Sequence, residues 1–355
     1  MAFALDSLVH PIVQAPMGGG PSTPTLAAAV SGAGGLGFLA AGYKAVEAVR
    51  DDLVELRSLL PAGVPFGLNL FAPPGHGAGT AEVAGYADTI RAEAERNGTV
   101  LGAPRWDDDR YAEKLTLACV EHVPVVSLTF GCPSVDDVRR LRDAGAAVWV
   151  TVTTADEARA AHATGVDALI AQGVEAGGHR GTFDDARPGE LGVLALLQLV
   201  RGAVGDATPL VASGGIATGR AVAAVLAAGA TAAQLGTAFM LCPEAATAPA
   251  HRAALATGEP TALTRAFTGR TARGIVNRFL REHTRDAPSA YPEVHHLTAP
   301  LRAAAREQGD ADGFHLWAGQ AHALAEDVPA GELVRRLAAD ATAALEDALR
   351  RITRA

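Results

Sequence analysis

Residues 147–172 read AVWVTVTTADEARAAHATGVDALIAQ. An unbroken apolar run (147–152) gives way to a helical pattern over 154–164 that opens on threonine, and a second apolar run (168–172) follows. Short runs that are apolar throughout read as strands covered on both faces, and strand, helix, strand in this order is the parallel crossover unit. Outward from this unit the same pattern recurs. Strands are predicted at 11–17, 36–41, 66–71, 123–130, 209–213 and 232–239, which brings the total to eight. Helical patterns lie at 24–32, 44–60, 135–144, 190–204 and 218–228, several with Ser, Thr or Asp at the N-cap position. Eight repeats predict an α/β fold, a closed (β/α)8 TIM barrel, with an open doubly wound sheet as the alternative.

Two segments break the rhythm. Residues 72–122 form an insertion after the third strand, and 241–355 follow the eighth with helical periodicity at 331–353. The expected organisation is therefore a barrel over 1–240 carrying the insertion, plus a mainly helical subdomain, 241–355, that caps the barrel mouth.

Composition narrows the function classes. The 355 residues are 49% hydrophobic, enough for a large core, and the net charge of −9 disfavours nucleic acid or an anionic membrane as partner. Small molecules are the expected partners. No apolar run reaches the ~18 to 20 residues that cross a bilayer, and the first residues lack the pattern of a secretion signal, so a cytoplasmic location is expected. Cys119, Cys132 and Cys242 are too scattered for a disulfide framework or zinc site, and each reads as a small buried side chain.

The stretch SGAGGLG contains a literal G-x-G-x-x-G at Gly32, Gly34 and Gly37. A dinucleotide fingerprint needs a strand before it and a helix after it, whereas here the helix precedes and the strand follows. It reads as a helix C-terminal turn. Two other glycine turns carry more weight. Ser213-Gly214-Gly215-Ile216 and Gln234-Leu235-Gly236-Thr237 end the seventh and eighth strands, where barrels commonly bind phosphate through backbone N–H groups.

At the end of the sixth strand, Gln172 leads into Gly177-Gly178-His179-Arg180-Gly181. Glycines around one histidine let the chain bend past a flat ligand while the imidazole, which exchanges protons near neutral pH, projects into the mouth. Gln14-Ala15-Pro16-Met17 and Asn69 end at the same face. The pair His295-His296 has no acidic or cysteine partner at ligand spacing and reads as solvated or interfacial, so no metal site is expected. His76, His162, His283, His315 and His322 belong to no visible constellation.

These motifs together resemble the nitronate monooxygenase family, formerly 2-nitropropane dioxygenases, FMN enzymes on a barrel fold. The likeness runs through PIVQAPMGG, AGGLGFLAAGY, FGLNLF, VVSLTFGCPS, QGVEAGGHRG, ASGGIATG and AAQLGTAFM, and more weakly through HHLTAPLR and LWAGQ. It implies that Ala15, Pro16, Met17, Asn69, Gln172 and Gly177 line the flavin, and that Gly214, Gly215, Gln234, Leu235, Gly236 and Thr237 hold its phosphate. It also implies that His179 is the catalytic base, and that Tyr291, Trp317 and Gln320 belong to a substrate lid. The implied chemistry is oxidation of alkyl nitronates such as propionate 3-nitronate by O2 to a carbonyl compound and nitrite. Alternatives are an FMN-dependent enoyl reductase or NAD(P)H:quinone reductase of the same superfamily, or a catalytically silent flavin-binding barrel.

Overall fold

The computed structural model describes residues 3–73 and 79–353. In chain order its strands are β1 (Ile12–Gln14), β2 (Phe38–Ala40), β3 (Gly67–Phe71), β4 (Val125–Thr129), β5 (Ala147–Val152), β6 (Ala168–Gln172), β7 (Gly178–His179), β8 (Leu210–Ser213), β9 (Ala232–Leu235), β10 (Thr261–Thr264) and β11 (Ala272–Ile275). The helices are α1 (Pro24–Gly32), α2 (Val46–Leu59), α3 (Thr80–Thr89), α4 (Arg91–Arg96), α5 (Tyr111–Val120), α6 (Val135–Asp143), α7 (Ala155–Ala163), α8 (Val193–Val204), α9 (Gly219–Ala227), α10 (Pro249–Leu255), α11 (Arg278–His283), α12 (Glu293–Gln308) and α13 (Ala330–Ile352).

Eight of these strands form one parallel sheet in the order β1-β9-β8-β6-β5-β4-β3-β2. A parallel bridge between Val13 and Leu36 joins its two ends, so the sheet closes into a barrel. The helix starts follow the expected chemistry. Thr23, Ser134, Thr154 and Thr218 each cap a helix by accepting the N–H of the residue three further on.

Side-chain alternation sets what the barrel contains. Along β5, Val148, Val150 and Val152 pack outward against the helices, while Ala147 and Trp149 fill the lower barrel with Phe38, Val125, Ile170 and Val211. Further up six of the strands the inward position is polar: Asn69, Thr129, Thr151, Gln172, Ser213 and Gln234 all line the cavity above that apolar plug. A polar floor at the C-terminal ends of the strands is where a barrel places its chemistry.

The two irregular segments divide differently from the sequence expectation. From the insertion, α5 joins the barrel's outer ring against β3, α2 and α6. In contrast, Val83, Tyr86, Ile90 and Ala94 of α3 and α4 share a separate apolar core with Phe267, Phe279, Val294, Leu297 and Leu301. From the C-terminal segment, α13 returns to the outer ring, with Leu333, Val334, Leu337 and Ala341 packed in the barrel core between α9 and α1. The segment is also less helical than expected, because β10 and β11 form an antiparallel hairpin that continues onto β7. The run 232–239 ends as a strand at Leu235 and turns into a 3-10 helix over Thr237–Phe239. Cys242 is buried and Cys119 partly so, but Cys132 is exposed, contrary to expectation, since it lies beyond the end of β4. No helix among the described residues is long and apolar enough to cross a membrane.

Candidate active site

A cavity of about 480 Å³ opens over the polar floor. It brings together Ala15, Pro16, Met17, Asn69, Gln172, Gly177, His179, Gly214, Gly215, Gln234, Gly236, Thr237 and Trp317 of the expected site residues. Leu235 is not in its wall. The strand pleat turns that side chain outward against the surrounding helices, and its carbonyl accepts the Ala15 N–H at 2.8 Å. Gln320 lines a neighbouring pocket of about 280 Å³ that shares Gly214 and Gly215 with the main cavity. The ring of Tyr291 packs 6.0 Å from that of His179 without reaching the cavity wall. His76 lies outside the described residues.

The glycine turns are shaped to hold a ligand. Gly214 and Gly215 have φ of +112° and +68°, and a Cβ on Gly215 would sit 2.9 Å from that of Glu175. Among the described residues, the N–H groups of Gly215, Gly236 and Thr237 meet no acceptor, and the buried Gln234 Oε1 has no partner. Unpaired donors at this end of the cavity fit a phosphate group, and the residues present fit a phosphate-bearing cofactor.

Gln172, besides lining the cavity, holds the loop beyond it. Its Oε1 accepts Gly181 N–H (2.8 Å) and Arg180 Nη1 (3.1 Å), and its Nε2 donates to the His179 carbonyl (3.1 Å). The side chain therefore ties down the loop that carries His179. Arg180, fully buried, reinforces the loop by donating to the carbonyls of Gln172, Gly173 and Gly189. Strand pairing of His179 with Ala272 fixes the loop from the other side.

Thr268, just before β11, then orients the imidazole. Its Oγ1 lies 2.9 Å from His179 Nε2 and 3.3 Å from the Arg270 carbonyl. With the hydroxyl donating to that carbonyl, its oxygen accepts Nε2–H, which leaves the Nδ1 lone pair free. Burial, together with the guanidinium charges of Arg270 and Arg302, pushes the His179 pKa down to about 3. The group is a neutral acceptor at physiological pH.

The sequence reading missed most of the cavity's electrostatics. Arg302, Arg306, His251, His295, His315 and His322 all line it, and no Asp or Glu does among the described residues. The pair His295-His296 is partly buried, and each ring has a partner within the chain. His295 stacks on Tyr43 with ring centroids 4.3 Å apart, while His296 pairs with Asp107 of the insertion. His283 likewise has partners, in an ion-pair cluster with Glu93 and Arg278. Glu93, Glu282 and His283 lie close enough together to hold a metal ion, yet the Arg278 guanidinium neutralises both acids at 2.7 Å. Buried Arg302 donates to Thr298 Oγ1 (3.0 Å) and to the His295 carbonyl (2.8 Å), and has no carboxylate partner among the described residues. Its pKa is pushed down to about 10 by burial. A buried cation without a counter-ion costs free energy that an anionic ligand would offset. The available signal was the stretch HHLTAPLR, which carries His295 and Arg302 on one face of α12, two turns apart.

The family model described as nitronate monooxygenase matches residues 3–340. A nitronate monooxygenase of Pseudomonas aeruginosa is 41% identical over 94% of this chain and 96% of its own length. Among solved structures, a nitroalkane oxidase from Streptomyces ansochromogenes superposes with a TM-score of 0.92 at 51% identity, covering 97% of this chain and 99% of that one. FabK from Thermotoga maritima superposes with a TM-score of 0.77 at 26% identity, covering 98% and 97%. A barrel closed by eight parallel strands, a cavity at their C-terminal ends and these matches over almost the whole chain lead to one conclusion: the chain belongs to the nitronate monooxygenase family of flavin oxidoreductases.

Proposed function

We propose that the protein oxidises alkyl nitronates, propionate 3-nitronate among them, with O2 to a carbonyl compound and nitrite, using FMN. The observation that carries this reading is a cavity wall with a neutral imidazole and an unpaired buried guanidinium but no carboxylate. Such a wall attracts an anion and does not protonate it.

In this reading Ala15, Pro16, Met17, Asn69, Gln172 and Gly177 line the flavin, and the N–H groups of Gly215, Gly236 and Thr237 take its phosphate, which their positions in and beside the cavity wall support. Bound FMN supplies the electron acceptor for the nitronate and, once reduced, the reductant for O2. The protein's own contribution is position and charge. Arg302 draws the anion in, and Trp317, whose ring lies 5.5 Å from that of His179, closes the space beside it. Tyr291 backs the same ring. For a neutral nitroalkane, His179 Nδ1 accepts the α-proton as negative charge develops on the nitro group beside it, a charge that raises the imidazole pKa from its low value in the empty cavity and leaves the nitronate in the site. Gln320 faces the neighbouring pocket and takes no part in this reading.

Anaerobic mixing tests the proposal. Bleaching of the flavin by propionate 3-nitronate, with none by NADH, is the expected result. Bleaching by NADH alone would make the protein a reductase, and no bleaching by either would make it a binder.

A further inference from the structure

The loop after β2 places Tyr43 in the cavity wall with φ of +67°, a left-handed conformation that a bulky aromatic residue rarely adopts. Something must hold it there. Its N–H donates to Asp109 Oδ1 at 2.9 Å, from the distant insertion. Asp109 is itself left-handed, φ +55°, as is Arg110. The other carboxylate oxygen of Asp109 lies 2.8 Å from the ammonium of Lys114, whose side chain is 1% exposed. The chain has 30 Lys and Arg residues, and only Lys44 and Lys114 are lysines, so a fully buried one is a notable use.

From Tyr43 the contacts lead into the cavity. Its ring stacks on His295 at 4.3 Å with planes 6° apart, and its hydroxyl lies 3.4 Å from that of Tyr291. His295 Nδ1 in turn lies 3.3 Å from Arg302 Nη2. We infer that Asp109, held by Lys114, is a positioning residue for anion binding: by fixing the Tyr43 backbone it sets the Tyr43–His295 stack and, through it, the Arg302 guanidinium in the cavity. Neither Asp109 nor Lys114 lines the cavity. The inference rests on the proposed function only for expecting an anionic ligand.

The test uses the flavin-loaded protein and sodium nitrate, a planar oxyanion that resembles a nitronate head group and carries no hydrogen to lose. Its dissociation constant is read from the flavin difference spectrum. Two double variants remove both charges and so leave no buried ion unpaired. Asp109→Asn with Lys114→Met keeps an acceptor for the Tyr43 N–H, whereas Asp109→Ala with Lys114→Met does not. Nitrate affinity within about twofold of wild type in the first and weaker by about tenfold in the second is expected. For nitronate turnover the second should raise KM by a similar factor and change kcat by less than about twofold. Equal affinities in the two variants, or a wild type that gives no nitrate spectrum, would overturn the inference. Hydrogen exchange on the wild type provides a check that needs no variant: a protected Tyr43 amide is expected, and one that exchanges as fast as an open loop overturns it. If nitrate binds as described and no nitronate is turned over, the proposed function fails and the positioning role stands.

Discussion

The Oγ1 of Thr268 lies 2.9 Å from His179 Nε2, although the two residues are 89 positions apart in sequence. When the same hydroxyl donates to the Arg270 carbonyl, 3.3 Å away, its oxygen accepts Nε2–H and Nδ1 is left unprotonated. The imidazole and the hydroxyl that contacts it therefore come from separate segments of the chain, brought together by the pairing of β7 with β11.

Replacing Thr268 with Val keeps the shape and removes the hydroxyl. Proton abstraction from a neutral nitroalkane should slow by about tenfold, within the range found when an orienting partner is lost. Thr268→Ser should recover most of the rate. Oxygen uptake with preformed nitronate should change by less than about twofold in both variants, and a Val variant equal to wild type on both substrates would remove the tautomer argument.

Replacing His179 with Asn removes the base itself. Turnover of a neutral nitroalkane should fall by ~10² to 10⁴-fold, whereas turnover of the nitronate, whose α-proton is already gone, should fall far less. The comparison is made by oxygen uptake at matched flavin content. Equal losses on both forms would make His179 a binding residue.

At Gly215 a side chain meets two obstacles: φ of +68° and a Cβ 2.9 Å from that of Glu175. Gly215→Val should therefore shift the turn and displace its unpaired N–H groups, and the purified protein should carry well under half the wild-type flavin. Absorbance at the flavin band against protein concentration measures this. Full occupancy at wild-type affinity would relocate the phosphate site.

Stability should fall as the pH is lowered below neutral. Burial pushes the pKa of His251 down to about 4 and that of His315 well below its ordinary value, both with their side chains packed in the cavity wall. Above pH ~6.5 each is neutral in the folded and unfolded chain, so neither affects stability. Below it the unfolded chain binds protons that the folded chain refuses, so stability is lost at about 1.4 kcal/mol per pH unit for each group until its folded pKa is reached. Urea unfolding at pH 7, 6 and 5 should show this slope, and His315→Phe should flatten it. An unchanged slope in that variant would mean His315 titrates normally.

The alternation of apolar runs and helical patterns was enough to place all eight barrel strands and most of the outer helices, because each unit is local: a strand is read from its own residues, and caps such as Thr154 act three residues away. The same holds for the glycine turns at 213–216 and 234–237 and for the glycine-flanked His179, which stand at strand ends and reach the cavity by barrel geometry alone. The polar floor was legible in principle, since Thr151 follows Ala147 and Trp149 at a period of two. What remained hidden depends on contacts between segments far apart in sequence. Whether a helix after the last strand caps the mouth or completes the ring was decided by which neighbours buried Leu333 and Leu337. Whether Arg302 is an exposed surface cation or a buried one with no carboxylate beside it among the described residues was decided by the segments packed around α12. Periodicity records which face of an element is apolar, but not what that face meets. The charge of the cavity, the tautomer of His179 and the support for Tyr43 follow from those meetings, so only the tertiary structure decided them.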